Sequence, residues 1–146
     1  MAYKGKYSPD NYKKYQGDPT NIIYRSSWEL RFMKWLDHNP NVLAWGSETI
    51  VVPYKNPLTG KRHRYYPDFV VLMRDKVGKE QTYMIEIKPE KQTKPPQKKS
   101  RITKNYIKEV STFAINNYKW KYAEEFCKDR KWKFLVLTEN ELGLNG

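Results

Sequence analysis

The chain has 146 residues, a mean hydropathy of −0.94 and a formal net charge of +12, which fits one domain with short appendages. Its longest apolar run, Phe69 to Met73, is far shorter than the roughly 20 residues of a membrane span, and no secretion signal is expected at its start. The single cysteine excludes an internal disulfide and favours a reducing, intracellular setting. The positive charge favours a polyanionic partner, with nucleic acid first and an anionic membrane surface or a ribosome-like assembly as alternatives.

Residues 1–25 are the first predicted segment, and they are polar and rich in tyrosine and lysine. They show neither the periodicity of a strand nor that of a helix, so we expect an extended arm rather than an independent fold. Two roles stay open for this arm. Its tyrosines either stack on bases or dock on a partner, or they pack on the arm's own domain.

A helix is predicted to begin after Ser26, whose side chain can act as the N-cap. Glu29 then falls at the capping-box position, three residues on. An apolar stripe follows at helical spacing, formed by Trp28, Phe32, Trp35 and Leu36. The helix is expected to end at Asn39–Pro40, because the residue before a proline disfavours helical backbone angles.

Three strand-like segments follow, over residues 42–53, 62–73 and 82–88. The first two flank residues 56–60, whose Asn, Pro and Gly predict a turn. In the third segment apolar and polar residues alternate. Glu86 and Lys88 are two positions apart, so they are expected to project from the same face of the sheet.

Residues 88–108 form a strongly basic run, with eight lysines and arginines and one acid. More than half of the net charge of the chain therefore lies here, and prolines keep the first part of the run non-helical. Two helices are predicted after it, over 101–115 and 118–128, before a last buried strand at 132–138. This order of elements predicts an α/β fold, with helices packed around a small mixed β-sheet.

Two carboxylates, Asp68 and Glu86, lie in or beside apolar strands. Carboxylates do not enter such surroundings without compensation, and a divalent cation supplies it. Together with the backbone carbonyl of Ile87 they make an oxygen-rich site that suits Mg²⁺. Lys88, on the same face as Glu86, can orient or help to deprotonate a water, while the metal neutralises charge on a scissile phosphate.

Each of these residues also has a purely structural interpretation. Asp68 can cap a turn or pair with Arg64. Glu86 and Lys88 can form a surface ion pair, which contributes little to stability. Glu29 can serve only as the acid of the capping box.

Pro67-Asp68 and Glu86-x-Lys88, with the upstream helical Glu29, resemble the motif of the PD-(D/E)xK nuclease superfamily. More narrowly, residues 24–29 and 134–139 resemble the endonuclease subunit of heteromeric bacterial transposases. The whole chain, including residues 1–7, looks like the head-completion proteins of T-even-like tailed phages.

This resemblance implies a restriction-endonuclease-like core, a small mixed β-sheet flanked by helices. It implies that Asp68 and Glu86 bind a metal, that Lys88 is the catalytic lysine, and that Glu29 binds metal directly or through water. The expected metal is Mg²⁺, with Mn²⁺ as a substitute. Phage members of the family are expected to act on the end of packaged DNA.

We therefore expect an extended arm over 1–25, a nuclease-like domain over 26–139 with a basic loop at 88–104, and a tail at 140–146. The loop leaves the sheet beside Lys88, so it is expected to follow a DNA backbone without reading sequence. Lys121, near the start of the last predicted helix, can reach inward to the metal face, whereas a solvated helix face is the alternative for it and for Lys119. The expected DNA contacts are Lys91, Lys94, Lys98, Lys99, Arg101, Lys104 and Lys121.

The predicted function is a Mg²⁺-dependent endonuclease that hydrolyses phosphodiester bonds of duplex DNA and processes the end of packaged phage DNA. A non-catalytic head-completion or neck protein, which binds DNA ends or the portal, is the alternative from another class. A transposase-like subunit is a third interpretation. Head components and a second copy of the chain are further candidate partners, a membrane is not, and the expected location is the host cytoplasm, with attachment to the virion left open.

Overall fold

The structure is a computed structural model that describes residues 4–98 and 100–143. Its strands and α-helices are, in chain order, β1 (Gly5–Tyr7), β2 (Ile22–Tyr24), α1 (Ser27–His38), β3 (Val42–Ser47), β4 (Val52–Lys55), β5 (Arg62–Tyr65), β6 (Phe69–Arg74), β7 (Glu80–Ile87), α2 (Lys104–Asp129) and β8 (Lys133–Leu137). Within these residues, neither helix combines the length and the apolar character needed to cross a membrane.

A four-stranded sheet with the order β3-β6-β7-β8 forms the centre of the fold. The pairs β3–β6 and β6–β7 are antiparallel, whereas β8 pairs parallel to β7. A parallel pair needs a long crossover, and α2 supplies it. The sheet is therefore mixed and flanked by helices, which confirms the predicted α/β fold.

Apolar side chains cover both faces of this sheet. On one face α1 packs Phe32 and Leu36 against sheet residues such as Phe69 and Ile85. On the other face Met84 packs against α2 and against β4 and β5. Successive residues of a strand point to opposite faces, so Glu86 lies on the same face as Met84, towards α2.

The two long strands expected over 42–53 and 62–73 are each divided, so this prediction is wrong. Glu48, directly after β3, has a left-handed φ of +52°, and the chain turns there before β4 begins. Pro67 lies between β5 and β6 and has no amide hydrogen to donate to a ladder. Among the described strands, β4 and β5 pair only with each other, and their apolar residues are buried against α2 rather than in the sheet.

The helix α2 is continuous, so the predicted break between residues 115 and 118 is wrong. Asn116 is only 4% exposed and belongs to the buried side of the helix. Asn117 donates a side-chain hydrogen bond of 2.8 Å to the carbonyl of Phe113, one turn earlier. Both asparagines are therefore accommodated inside the helix.

The described part of the N-terminal arm packs on its own domain, and residues 1–3 lie outside that part. β1 and β2 form an antiparallel ribbon, and Tyr7, Tyr15 and Ile22 are buried in the core beside α1. The ring of Tyr15 meets Trp45 edge-on, with 4.7 Å between ring centroids. Of the two roles left open for the arm, packing on the domain is the one observed for Tyr7 and Tyr15.

Candidate active site

Asp68 and Glu86 face each other across β6 and β7. The antiparallel register pairs Phe69 with Ile85, so the next position places Asp68 opposite Glu86, and directly paired residues have Cβ atoms about 5 Å apart. The amide of Ile87 donates a hydrogen bond of 2.7 Å to Asp68 Oδ2. The Asp68 carboxylate is thereby fixed at the end of β7.

Both carboxylates are largely removed from water, and Glu86 is only 5% exposed. Burial, together with the charge of Glu86, raises the pKa of Asp68 from 3.8 to about 8. Among the described residues, no basic side chain forms an ion pair with Asp68. Ionising both groups therefore places more negative charge here than the described surroundings neutralise, which is the electrostatic condition of a cation site.

Lys88 borders this carboxylate pair on the same face. Its Nζ lies 3.9 Å from Glu86 Oε2, and 29% of its side chain is exposed. Its amide donates a hydrogen bond of 3.0 Å to the carbonyl of Leu137, which ties the end of β7 to β8. Lys88 Nζ is therefore placed to donate a hydrogen bond to a water or a phosphate oxygen beside both carboxylates.

Glu29 lies in the first turn of α1 and has two kinds of contact. Ser26 Oγ accepts a hydrogen bond of 3.1 Å from the Glu29 amide, and Glu29 Oε1 accepts one of 3.3 Å from the Arg25 amide. The local capping contacts are therefore present. Burial and then the charge of Asp68 raise the pKa of Glu29, so its carboxylate lies within electrostatic reach of Asp68.

Two of the purely structural interpretations do not fit the described geometry. Arg64 is exposed on β5, and it forms no ion pair with Asp68 in the part of the chain that the structure describes. Glu86 is buried, so its contact with Lys88 is not that of a solvated surface pair. The carboxylates of Asp68 and Glu86 are therefore available to a cation.

The donors present fit a hard divalent cation. Asp68, Glu86 and Glu29 offer carboxylate oxygens, which Mg²⁺ and Mn²⁺ prefer over sulfur or nitrogen ligands. Tyr65 Oη is buried near Glu86 and Trp120, yet it makes no hydrogen bond of normal geometry to a described residue. Because buried polar groups are nearly always paired, this hydroxyl is available to hydrogen-bond a water or ligand held at the site.

The helix α2 contributes Lys119 to this face of the sheet. Lys119 Nζ lies 5.8 Å from the ring centroid of Tyr54 and 5.6 Å from that of Tyr65. Burial lowers the pKa of Lys119, and the charge of Glu86 acts in the opposite direction. Lys121, expected to reach inward, is exposed. If one continuous helix had been predicted, Lys119 rather than Lys121 would have been expected to point inward. Position 119 lies on the same stripe of the helix as the buried positions 116, 120, 123 and 127.

The basic loop leaves the end of β7 beside Lys88. Lys99 lies outside the described residues. Lys91 and Lys94 line a cavity of about 660 Å³ between the loop and α2, and Lys94 Nζ is 3.3 Å from Glu90 Oε1. The expected DNA contacts that are described in this loop are all exposed, namely Lys91, Lys94, Lys98, Arg101 and Lys104.

A separate acidic group lies at the other end of α1, where Asp10, Asp37 and His38 come together. Asp37 is fully buried and accepts hydrogen bonds from the Tyr7 hydroxyl and from the amides of Asp10 and Asn11. His38 Nε2 lies 2.9 Å from Asp10 Oδ2. Because these polar atoms engage one another, the group fastens the arm to α1.

Comparison with known proteins agrees with this geometry. Residues 39–139 match the family described as "TnsA-like endonuclease N terminal". The chain belongs to the TnsA-like endonuclease family. It is also 47% identical to the "Head completion nuclease" of Enterobacteria phage T4, over 97% of this chain and 95% of that protein. The predicted resemblance to restriction-endonuclease-like nucleases is confirmed.

Restriction-endonuclease-like nucleases use divalent metals, and the oxygen donors found here agree with that requirement. The family match spans the positions of Asp68, Glu86 and Lys88. Glu29 lies N-terminal to that match. The prediction that Glu29 belongs to the site therefore depends on its position in α1 and on the effect of the Asp68 charge on its pKa.

Proposed function

We propose that the protein is a Mg²⁺-dependent DNA endonuclease that hydrolyses phosphodiester bonds and processes the end of packaged phage DNA. The observation that carries the proposal is the buried pair of Asp68 and Glu86 with Lys88 on the same face. The 47% identity to a head completion nuclease of a phage supports the step from nuclease to head completion.

Each residue of the site has a distinct role in this proposal. Asp68, Glu86 and the Ile87 carbonyl hold the metal, and Glu29 binds it directly or through water. Bound there, Mg²⁺, or Mn²⁺ as a substitute, supplies charge that stabilises the negative charge developing on the scissile phosphate. Lys88 Nζ orients the attacking water or helps to remove its proton, because it borders solvent next to Glu86.

Duplex DNA is the proposed substrate, since the exposed cations of the basic loop start directly after Lys88. Lys91, Lys94, Lys98, Lys99, Arg101, Lys104 and Lys121 are the proposed contacts to phosphates. Such contacts position DNA without reading its sequence. Head or portal components and a second copy of the chain are proposed partners, and the proposed location is the host cytoplasm during phage assembly, with attachment to the virion as part of that role.

The test is incubation of the protein with closed-circular and linear duplex DNA in Mg²⁺, Mn²⁺, Ca²⁺ or EDTA. Asp68→Ala and Lys88→Ala are compared with the control Lys133→Ala, which removes an exposed lysine from the neighbouring strand. We expect nicking or cutting that needs Mg²⁺ or Mn²⁺, disappears in the two site variants and persists in the control. Salt-sensitive DNA binding without cleavage under any of these conditions contradicts the proposal and favours a non-catalytic head-completion or neck protein.

A further inference from the structure

The β4–β5 hairpin presents a basic outer face. Val52, Tyr54 and Tyr65 are buried on the side that packs against α2, and His63, the cross-strand partner of Tyr54, is exposed. The alternate positions project outward, because neighbouring residues of a strand point to opposite faces. These outward positions are all exposed, and they are Pro53, Lys55, Arg62 and Arg64.

No acidic residue balances this face. The chain contains no Asp or Glu between Glu48 and Asp68, and within the described residues the three outer cations form no ion pair. Lys55 and Arg62 are direct cross-strand partners, and like charges at such positions destabilise the ribbon. A surface that repels itself in the free protein is suited to an anionic partner.

The hairpin holds these cations on a rigid support. Its inner residues Val52, Tyr54 and Tyr65 are buried against Trp120 and Ala123 of α2. At the tip, Asn56 Oδ1 accepts a hydrogen bond of 2.8 Å from the amide of Leu58, and Gly60 takes the left-handed φ of +73° that closes the turn. A preorganised surface loses little conformational entropy when it binds.

The base of the hairpin is at the candidate active site. Tyr65 ends β5 three residues before Asp68, and its ring is buried within reach of the charge of Glu86. From there the four-residue strands extend about 13 Å away. A polyanion that lies along the outer face and continues past the base of the hairpin therefore reaches the end of β5, three residues before Asp68.

We propose that the outer face of this hairpin binds the phosphates of duplex DNA next to the cleaved bond, through Lys55, Arg62 and Arg64. The inference rests on the proposed function, because DNA is taken as the substrate. A two-stranded ribbon fits the major groove, which is about 12 Å wide, and brings cations to the phosphates on its rims. Single-strand binding uses aromatic stacking platforms, and the four outer positions include no aromatic residue.

The test measures duplex binding in EDTA, where no cleavage interferes, by fluorescence anisotropy at several salt concentrations. Arg62→Gln/Arg64→Gln is compared with Lys76→Gln/Lys79→Gln, which removes two exposed charges from the turn at the opposite end of β6 and β7. Each lost phosphate contact lowers the slope of log K against log salt by about 0.9, so we expect a slope smaller by about 2 and binding about 10- to 60-fold weaker at 0.1 M salt. Arg62→Lys/Arg64→Lys keeps the charges and should keep the slope.

An unchanged slope in Arg62→Gln/Arg64→Gln, or an equal loss in the Lys76/Lys79 control, overturns the proposal and leaves an acidic protein surface as the partner of this face. The two proposals fail separately. If the wild-type protein cuts no DNA but the salt dependence of binding is reduced in Arg62→Gln/Arg64→Gln, the nuclease activity is refuted and DNA binding by the hairpin is supported. If cleavage is metal-dependent and the same variant keeps the wild-type salt dependence of binding, the nuclease activity is supported and DNA binding by the hairpin is refuted.

Discussion

Removing the charge of Asp68 is expected to stabilise the metal-free protein while it abolishes cleavage. Burial beside Glu86 raises the pKa of Asp68 from 3.8 to about 8. Between these two values the folded protein holds a proton that the unfolded chain has released, so stability falls as the pH rises from about 4 to about 8. The ionised Asp68 carboxylate, which the proposed reaction needs, therefore destabilises the folded protein until a cation neutralises it.

The structure gives the size of this effect. Each pH unit between the folded and unfolded pKa values corresponds to about 1.4 kcal/mol, so the loss is about 4 kcal/mol by pH 7 and about 5 kcal/mol by pH 8. Water entering beside the partly exposed Lys88 screens part of it, and we expect about 2–4 kcal/mol. Asp68→Asn keeps an oxygen for the Ile87 amide and offers its NH₂ to Glu86, so the charge is lost without a cavity.

Urea unfolding in EDTA at pH 5 and pH 8 measures the difference. Asp68→Asn should be more stable than wild type by about 2–4 kcal/mol at pH 8 and by much less at pH 5, and added Mg²⁺ should stabilise only the wild type. Glu80→Gln, at the exposed start of β7, is the matched control and should change stability by less than about 0.5 kcal/mol. If Asp68→Asn is less stable than wild type at pH 8, the carboxylate pair is not repulsive and the reasoning is refuted.

Three further predictions concern the site and the core. Lys88→Met should reduce the rate of cleavage by at least about 100-fold, the usual contribution of a proton-transfer group. Duplex binding, measured by titration in EDTA, should be nearly unchanged. An equal loss of binding in that titration contradicts a catalytic role for Lys88. Asp37→Ala should destabilise the fold by about 3 kcal/mol at neutral pH, because buried donors lose their acceptor. The difference should shrink below about pH 4, since hydrogen bonds outweigh burial and lower the pKa of Asp37. Acid titrations followed by circular dichroism check this, and a pH-independent difference contradicts it. Met84→Ala, at a fully buried position, should cost about 2–5 kcal/mol in urea unfolding, whereas a cost below about 1 kcal/mol would mean that the face under α2 is loosely packed.

Local patterns predict the parts of this fold that depend on neighbours in sequence. The cap at Ser26 and the apolar stripe after it are sufficient to predict α1. The two-residue period of β7 is sufficient to place Glu86 and Lys88 on one face. The sequence also predicts that Asp68 meets Glu86, because their strands are neighbours in the chain and pair antiparallel.

Contacts between distant residues decide what the sequence does not predict. Val52 and Tyr65 alternate with polar residues in a way that suits either the central sheet or a separate ribbon, and burial against Trp120 selects the ribbon. An Asn-Asn pair favours the end of a helix, but packing of Asn116 in the interior keeps α2 continuous. The inward position of Lys119 follows from that continuity, and for this reason it was not predicted.

The parallel pairing of β8 with β7 has a consequence for the order in which the enzyme is made. The carbonyl of Leu137 holds the amide of Lys88, and β8 reaches β7 only after the 26-residue helix α2 has crossed the sheet. During synthesis β6, the antiparallel partner of β7, emerges before β7 itself, whereas β8, the strand that fixes the end of β7, emerges late. Because non-local parallel pairing is slow to form, the nascent chain holds its carboxylates and its lysine without their final alignment until residue 137 has left the ribosome.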